Sequence, residues 1–279
     1  MTREAPHMRQ FTILPALPEH AAGIVAAIQS GFAPDILGAT IYGCSGITNY
    51  VRHQTVLPAA LADTRYVVAL DASAPAPATS CSQLVAGCVE LRLFPNALCL
   101  NYISILPECR ASGLGRKLLY AAIDAARCDA HERLILDVFT HNTTANRWYE
   151  RLGFEDQYFS EWWEIELGCH AILPGRVSGF AQACVCQREF GFSQFCVTTH
   201  DDSYSIGRIG ERWFRVTQTD ALHDLALLAT LAILDPNRRI LAILREGSLP
   251  DAAKPMAKPL VRLARKTIDL QALIANLGA

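Results

Sequence analysis

The sequence predicts an α/β chain: a mixed sheet of the α+β kind over residues 1–168, followed by a smaller α/β domain over residues 180–279. Three observations carry this. Strand-like apolar runs alternate with segments of helical apolar spacing from Gln10 onward. An apolar strand, 98–106, runs into the loop Arg110, Ala111, Ser112, Gly113, Leu114, Gly115, which opens directly into a helix. A second strand, 134–139, is followed by a second helix that bears Tyr149 in its last turn, just ahead of Gly153 and Phe154.

Taken in order, 10–14 reads as a strand and 19–32 as a helix. The stretch 33–48 is irregular and Gly-rich, and 49–61 is a second helix. Residues 65–70 alternate weakly and are β-branched, as a strand requires. The run DASAPAPATSCS at 71–82 has the composition of a surface loop. Strands 84–93 and 98–106 form a hairpin around Phe94, Pro95, Asn96 and Ala97. A helix from 114 to about 129, the strand 134–139, a helix over 142–152 and a strand over 158–167 close the first domain. Pro174, Gly175 and Gly179 mark 169–179 as a linker. Beyond it, 182–190, 193–199, 203–208 and 212–217 read as strands, 220–234 as a helix and 239–244 as a strand. The last segment, 255–277, reads as a helix with a cationic face of Arg262, Arg265 and Lys266.

Composition narrows the function classes. Hydrophobic residues make up 51% of the 279 and charged residues 19%, a globular balance. A net charge of −2 offers no basic surface for nucleic acid or an anionic membrane. The N-terminal MTREAPHMRQ is polar with no apolar segment behind it, so no secretory signal is expected. The apolar run 222–234 is broken by His223 and Asp224, too short for the ~20 residues of a spanning helix. Most of the ten cysteines sit within apolar segments and none form a CxxC pair. Cys184 and Cys186 would share one strand face, but no Cys or His lies at zinc-finger spacing from them. Buried thiols in a reducing cytoplasm, and no metal, are the expectation.

The loop at 110–115 carries the chemistry. Backbone N–H groups at a helix N-terminus form an anion site, and glycines let an anion approach closely. About thirty residues on comes Asn142, Ala145, Tyr149, Gly153 and Phe154 in an N-x-x-A-x-x-x-Y-x-x-x-G-F pattern. This order and spacing, over about residues 8–168, resembles the GNAT superfamily of acyl-CoA-dependent N-acyltransferases.

The resemblance implies the GNAT fold, with acetyl-CoA lying where two central parallel strands, 98–106 and 134–139, splay apart. It implies that the backbone of Ile103 and Ile105 pairs with the pantetheine arm. It implies that the N–H groups of Arg110, Ala111, Ser112, Gly113, Leu114, Gly115 and Arg116 hold the pyrophosphate, and that the Ile105 N–H polarises the thioester carbonyl. Asn142 and Ala145 match pantetheine contacts, although Asn142 equally suits an N-cap. Tyr149 matches the acid that protonates the leaving thiolate; its alternative is a packed aromatic beside Trp148 and Phe154. The side chains of Arg116 and Lys117 either reach phosphates or are solvated.

The positions at which relatives carry a base are Cys99 and Asn101, neither of them basic enough, though Asn101 can hold a water. Glu90 on the neighbouring strand is the substitute, unless it is a surface residue, and His141 is a second candidate. The acceptor pocket should involve Tyr42, Cys44, Ser45 and Tyr50 in the unusual helix–helix connection, unless that loop only packs on the sheet. Cys44 as an acyl-carrying nucleophile is a lesser alternative.

The implied activity is transfer of an acyl group, acetyl by expectation, from acyl-CoA directly to a small-molecule amine. Nucleic acid and membrane are not expected partners, and a homodimer is compatible with the sequence. Rivals are a protein or peptide acyltransferase, a relative that takes its acyl group from an acidic carrier protein through a basic patch, and a non-catalytic CoA-binding module. The second half reads as a degenerate copy of the same fold. No glycine loop follows Phe214, so no second acyl-CoA site is expected.

Overall fold

The computed structural model describes residues 9–58, 60–72, 84–168, 172–200 and 202–278. Most of the loop expected at 71–82, the start of the linker expected at 169–179 and most of the polar N-terminus lie outside them.

Strand β1 (Phe11–Pro15) leads into α1 (Ala21–Gln29). The stretch read as irregular holds α2 (Pro34–Leu37) and a 3-10 turn at Ile41–Gly43, and α3 (Ile47–Val56) follows. Next come β2 (Thr64–Asp71), β3 (Val85–Phe94), β4 (Ala97–Ile105), α4 (Leu114–Ala126), β5 (Arg133–Phe139), α5 (Thr143–Arg151) and β6 (Glu155–Ile165). The second half contains β7 (Arg176–Ser178), α6 (Phe180–Phe190), β8 (Phe192–Thr198), β9 (Ser203–Ile209) and β10 (Trp213–Val216). It ends with α7 (Leu225–Leu234), β11 (Arg239–Arg245), β12 (Ala257–Asp269) and α8 (Leu270–Gly278).

Three readings of the second half are corrected. Residues 182–190 are helical, within α6, which runs between Gly179 and Gly191 and buries Ala183 and Gln187 one turn apart. Cys184 and Cys186 therefore point to different faces. Residues 257–269 form a strand, because β12 finds its partner in β6, nearly a hundred residues upstream. Part of the expected linker forms β7, which pairs with β8.

The chain divides into two compact units that interleave in sequence: Met1–Gly31, Val51–Ile135 and Ile268–Ala279 in the first, Phe32–Tyr50 and Leu136–Thr267 in the second. In the first unit β1, β2, β3 and β4 pair antiparallel in that order. α4 buries Leu114, Leu118, Leu119, Ala122 and Ile123, the i, i+4 stripe of an amphipathic helix. Truncating the fully buried Leu118 to alanine would cost about 2–5 kcal/mol. The Ser104 hydroxyl donates to the Ala27 carbonyl (2.5 Å), tying α1 to β4.

In the second unit the strand order is β5, β12, β6, β11, β10, β9, β8, β7. β10 and β11 are parallel, whereas β12 and β11 both run antiparallel to β6. The last strand of each half thus crosses over. β6 follows β5 in the chain but borders β11; β12 follows β11 but lies beside β5. The Thr140 N–H donates to the Arg262 carbonyl (3.0 Å), and Arg265 pairs with Asp137 (2.6 Å) along that β5–β12 edge. The core beneath gathers Phe195, Ile206, Phe214, Leu227, Leu231 and Ile240.

Candidate active site

In the first unit, β4 delivers the backbone to the glycine loop. The Leu106 N–H donates to Ala86 O (2.9 Å), on the β3 side. Because backbone groups alternate along a strand, those of Ile103 and Ile105 turn to the other edge of β4. There the Ile105 carbonyl accepts a hydrogen bond from Arg110 Nε (3.0 Å). Glu90 lies opposite Tyr102 and Leu91 opposite Leu100, so Asn101 is the extra residue of a β-bulge. Its side-chain amide donates to Glu90 Oε1 (2.6 Å), which also receives Arg92 Nε (3.4 Å). Glu90 is 1% exposed, which removes the surface-strand reading. The structure joins the two candidates, Glu90 and Asn101, in one part-buried hydrogen bond. A bulge at Asn101 leaves no compositional mark, so that link was not readable.

The loop after β4 offers a row of donors. Gly113 is the N-cap of α4 with φ of 76°, and Ala111, at φ of 59°, is the one described non-glycine residue with positive φ. Such a conformation costs an L-residue about 1–2 kcal/mol. The N–H groups of Ala111, Ser112, Gly113, Gly115 and Arg116 form no backbone hydrogen bond. The Leu114 N–H leans on Ser112 Oγ (3.4 Å), whose hydroxyl donates to the Cys109 carbonyl. The arrangement suits a polyanion at the positive end of a helix. The Arg116 guanidinium is committed to the Asn276 carbonyl.

In the second unit, Asn142 caps α5: its side-chain oxygen accepts from the Ala145 N–H (3.1 Å). Asn146, overlooked in the sequence, donates its amide to the carbonyls of Phe139 and Asn142 (2.9 Å each), pinning the helix start to the end of β5. Tyr149 is 6% exposed and lies edge-on to Phe154 (5.4 Å) and against Trp148 (5.1 Å). Burial pushes its phenol above the usual tyrosine range, so it stays protonated at neutral pH. Both expected characters, packed aromatic and proton carrier, are compatible with this placement.

The helix–helix connection Phe32–Tyr50 belongs to the second unit and packs against β-strands of the second half. Ala39 and Cys44 share a cluster with Ile209, Trp213 and Leu241, and Tyr50 touches Phe190 and Phe192 edge-on. Gly46 runs against the backbone of Glu189 and Phe190 so closely that no Cβ fits. Two expected acceptor contacts need correction in this conformation. Tyr42 is 0% exposed and Cys44 5%, so neither side chain is offered to an acceptor, whereas Ser45 is exposed and Tyr50 half-buried. Burial raises the Cys44 thiol, which points at the Thr40 carbonyl (3.9 Å) and is a poor nucleophile.

The cationic residues of β12 are paired: Arg262 with Glu246 (2.7 Å), Arg265 with Asp137, and the buried Lys266 with Asp156 (2.6 Å). Cys44, Cys88, Cys99, Cys109, Cys128, Cys184, Cys186 and Cys196 are free thiols. Among the described residues no cluster of His, Cys, Asp and Glu could hold a metal, and no helix is long and apolar enough to cross a membrane.

Residues 59–154 match the family model described as Acetyltransferase (GNAT) family. No curated protein matches the sequence. Among solved structures the chain is similar to a tandem GNAT protein from the clavulanic acid biosynthesis pathway, solved without AcCoA. Identity is 14%, with 93% of this chain and 98% of that one covered and a TM-score of 0.60. A GCN5-related N-acetyltransferase from Sphaerobacter thermophilus gives 13% identity, 93% and 95% coverage and a TM-score of 0.59. Residues 59–154 are therefore the part of the chain that matches the acetyltransferase (GNAT) family model, and over 93% of its length the chain shares the fold of a tandem GNAT protein.

Proposed function

We propose that the protein is a cytoplasmic N-acyltransferase that moves an acetyl group from acetyl-CoA directly to a small-molecule amine. One observation carries the reading: the N–H groups of Ala111, Ser112, Gly113, Gly115 and Arg116, which make no backbone hydrogen bond, at the start of α4 within the segment that matches the family model. Acetyl-CoA supplies the activated acyl group as a thioester. The backbone donors of residues 110–116 hold its pyrophosphate, and the backbone of Ile103 and Ile105, turned away from β3, pairs with its pantetheine arm, with Asn142 and Ala145 as further contacts. The Ile105 N–H donates to the carbonyl oxygen as negative charge develops there. The amine nitrogen forms the new C–N bond as the C–S bond breaks. Tyr149 gives its proton to the departing sulfur, and Glu90, or a water held at Asn101, takes the proton lost by the amine. Ser45 and Tyr50 are the acceptor contacts of the helix–helix connection.

Free thiols at all eight described cysteines fit a reducing compartment. The carrier-protein rival is weakened because Arg262, Arg265 and Lys266 are already neutralised by carboxylates. Calorimetry with acetyl-CoA, followed by CoA-thiol release over a panel of amines, tests the reading. Tight acetyl-CoA binding with amine-dependent thiol release supports it. Binding without turnover on any amine would leave a CoA-binding module, and no binding would remove the cofactor assignment.

A further inference from the structure

We propose that the acceptor amine carries an aromatic ring, received by a wall made of Phe32, Phe139 and Trp162; this rests on the acyl-transfer reading above. The Phe139 ring is the hub. It meets Phe32 edge-on (5.9 Å, 83°), meets Trp162 edge-on (6.1 Å, 75°) and stacks on His141 (5.4 Å, 12°). These rings come from three separate places: the start of the helix–helix connection, the end of β5 with the residues behind it, and the middle of β6.

The cluster differs from core packing in its exposure. The core aromatics Tyr42 and Phe214 are 0% and 1% exposed. Phe32, Phe139 and Trp162 are only half-buried, and His141 is exposed. The wall is nevertheless firmly backed. Trp162 packs against the cluster of Ala39, Cys44, Ile209, Trp213 and Leu241. Aromatic side chains held in this way accept another ring by stacking or edge contact.

Position and charge point the same way. Phe139 stands three residues before Asn142, the cap of the helix that bears Tyr149, so the wall adjoins the start of that helix. Carboxylates on the same strand faces are already paired. Asp137, two residues before Phe139, gives both oxygens to Arg265 (2.6 and 2.7 Å). Glu164, two residues after Trp162, is held by Arg212 (2.7 Å) and Arg239 (2.9 Å). A polyamine or a lysine-rich peptide needs unpaired carboxylates to replace its lost hydration; an arylalkylamine needs apolar faces and one proton acceptor.

The test uses the full-length protein with acetyl-CoA and measures thiol release with phenethylamine, tryptamine, n-hexylamine, spermidine and a lysine peptide. The two arylalkylamines should give kcat/KM at least tenfold above the other three. Phe139→Leu and Phe32→Leu should each raise KM for phenethylamine by fivefold or more, while the calorimetric Kd for acetyl-CoA stays within twofold. Equal or better use of spermidine, the peptide or hexylamine overturns the proposal. So does acetyl-CoA binding without turnover of either arylalkylamine, or an unchanged preference in both leucine variants. Failure to bind acetyl-CoA would be a different result, because it would sink the acyltransferase reading itself.

Discussion

Trp213 Nε1 donates a hydrogen bond to the Gly38 carbonyl at 3.0 Å, joining β10 to a loop 175 residues earlier in the chain. Trp213 is 3% exposed and shares its cluster with Ala39 and Cys44. The helix–helix connection is therefore held by the second half of the sequence. Trp213→Phe keeps most of the ring and removes the donor. Unfolding free energy should fall by about 0.5–1.5 kcal/mol. Amide exchange over residues 36–50 should accelerate more than in the rest of the chain, as read by mass spectrometry. Uniform acceleration everywhere would show that the bond does not anchor the loop.

Gly113→Val places a β-branched residue at a φ of 76° and narrows the approach to the N–H groups around it. Acetyl-CoA affinity should weaken tenfold or more, about 1.4 kcal/mol, by calorimetry with the circular dichroism of the fold retained. Gly115→Val is the companion variant. Unchanged affinity in both would move the pyrophosphate elsewhere.

Tyr149→Phe keeps the ring contacts with Trp148 and Phe154 and removes the proton. We expect kcat to drop about 10–10³-fold, with acetyl-CoA affinity within a few-fold of wild type. The raised phenol is protonated below pH 10, so this contribution should not titrate between pH 6 and 9. Stopped-flow thiol release across that range checks both points. A wild-type kcat in the variant would return Tyr149 to a packing role.

Alkaline stability should depend on Tyr204. Its burial first, and then the neighbouring Asp224 carboxylate, push the phenol up to about 12. The unfolded chain ionises near pH 10, so this contribution is fully present below pH 10 and is lost as pH rises towards 12. The loss should amount to about 1–3 kcal/mol. Tyr204→Phe should flatten that decline in urea melts between pH 10 and 12. An equally steep decline in the variant would assign it to other groups.

A titration with acetyl-CoA should saturate at one molecule per chain. In the second half, the helix that follows β10 is α7, and its N-cap is Asp224. The carboxylate accepts from the Leu227 N–H (2.9 Å) and from Thr199 Oγ1 (2.6 Å). Burial raises its pKa, but these hydrogen bonds outweigh burial and hold it below the usual aspartate value. A fixed negative charge thus fills the place where α4 presents open donors, and it repels a pyrophosphate. A stoichiometry of two would contradict this.

Where local chemistry decides the structure, the sequence was legible. The path from β4 through the glycine loop into α4 was readable because apolar run, glycines and helical stripe are all local signals. So was the cap at Asn142. The misreadings share a cause. Residues 257–269 mix Leu260, Arg262, Leu263 and Arg265 on no clean period, and they become a strand because β6 supplies the hydrogen bonds. The helix α6 was signposted by Gly179 and Gly191, but its cysteines and phenylalanines suggested a strand. The Glu90–Asn101 bond, the aromatic hub at Phe139 and the anchoring of Gly38 by Trp213 all join distant segments, which pattern and propensity do not encode.

The crossing of β6 and β12 bears on how the chain is born. β5 ends at Phe139, while the strand beside it, β12, begins at Ala257. At about 5–20 residues per second, a ribosome needs roughly 6–24 s to make the intervening stretch. During that interval the edge of β5 that β12 will cover has no partner, and β6 waits for β11 as well. The segment that matches the family model, residues 59–154, is therefore translated well before the strand that covers its β5. A nascent chain with two waiting strand edges is the form of this protein that a holding chaperone would meet.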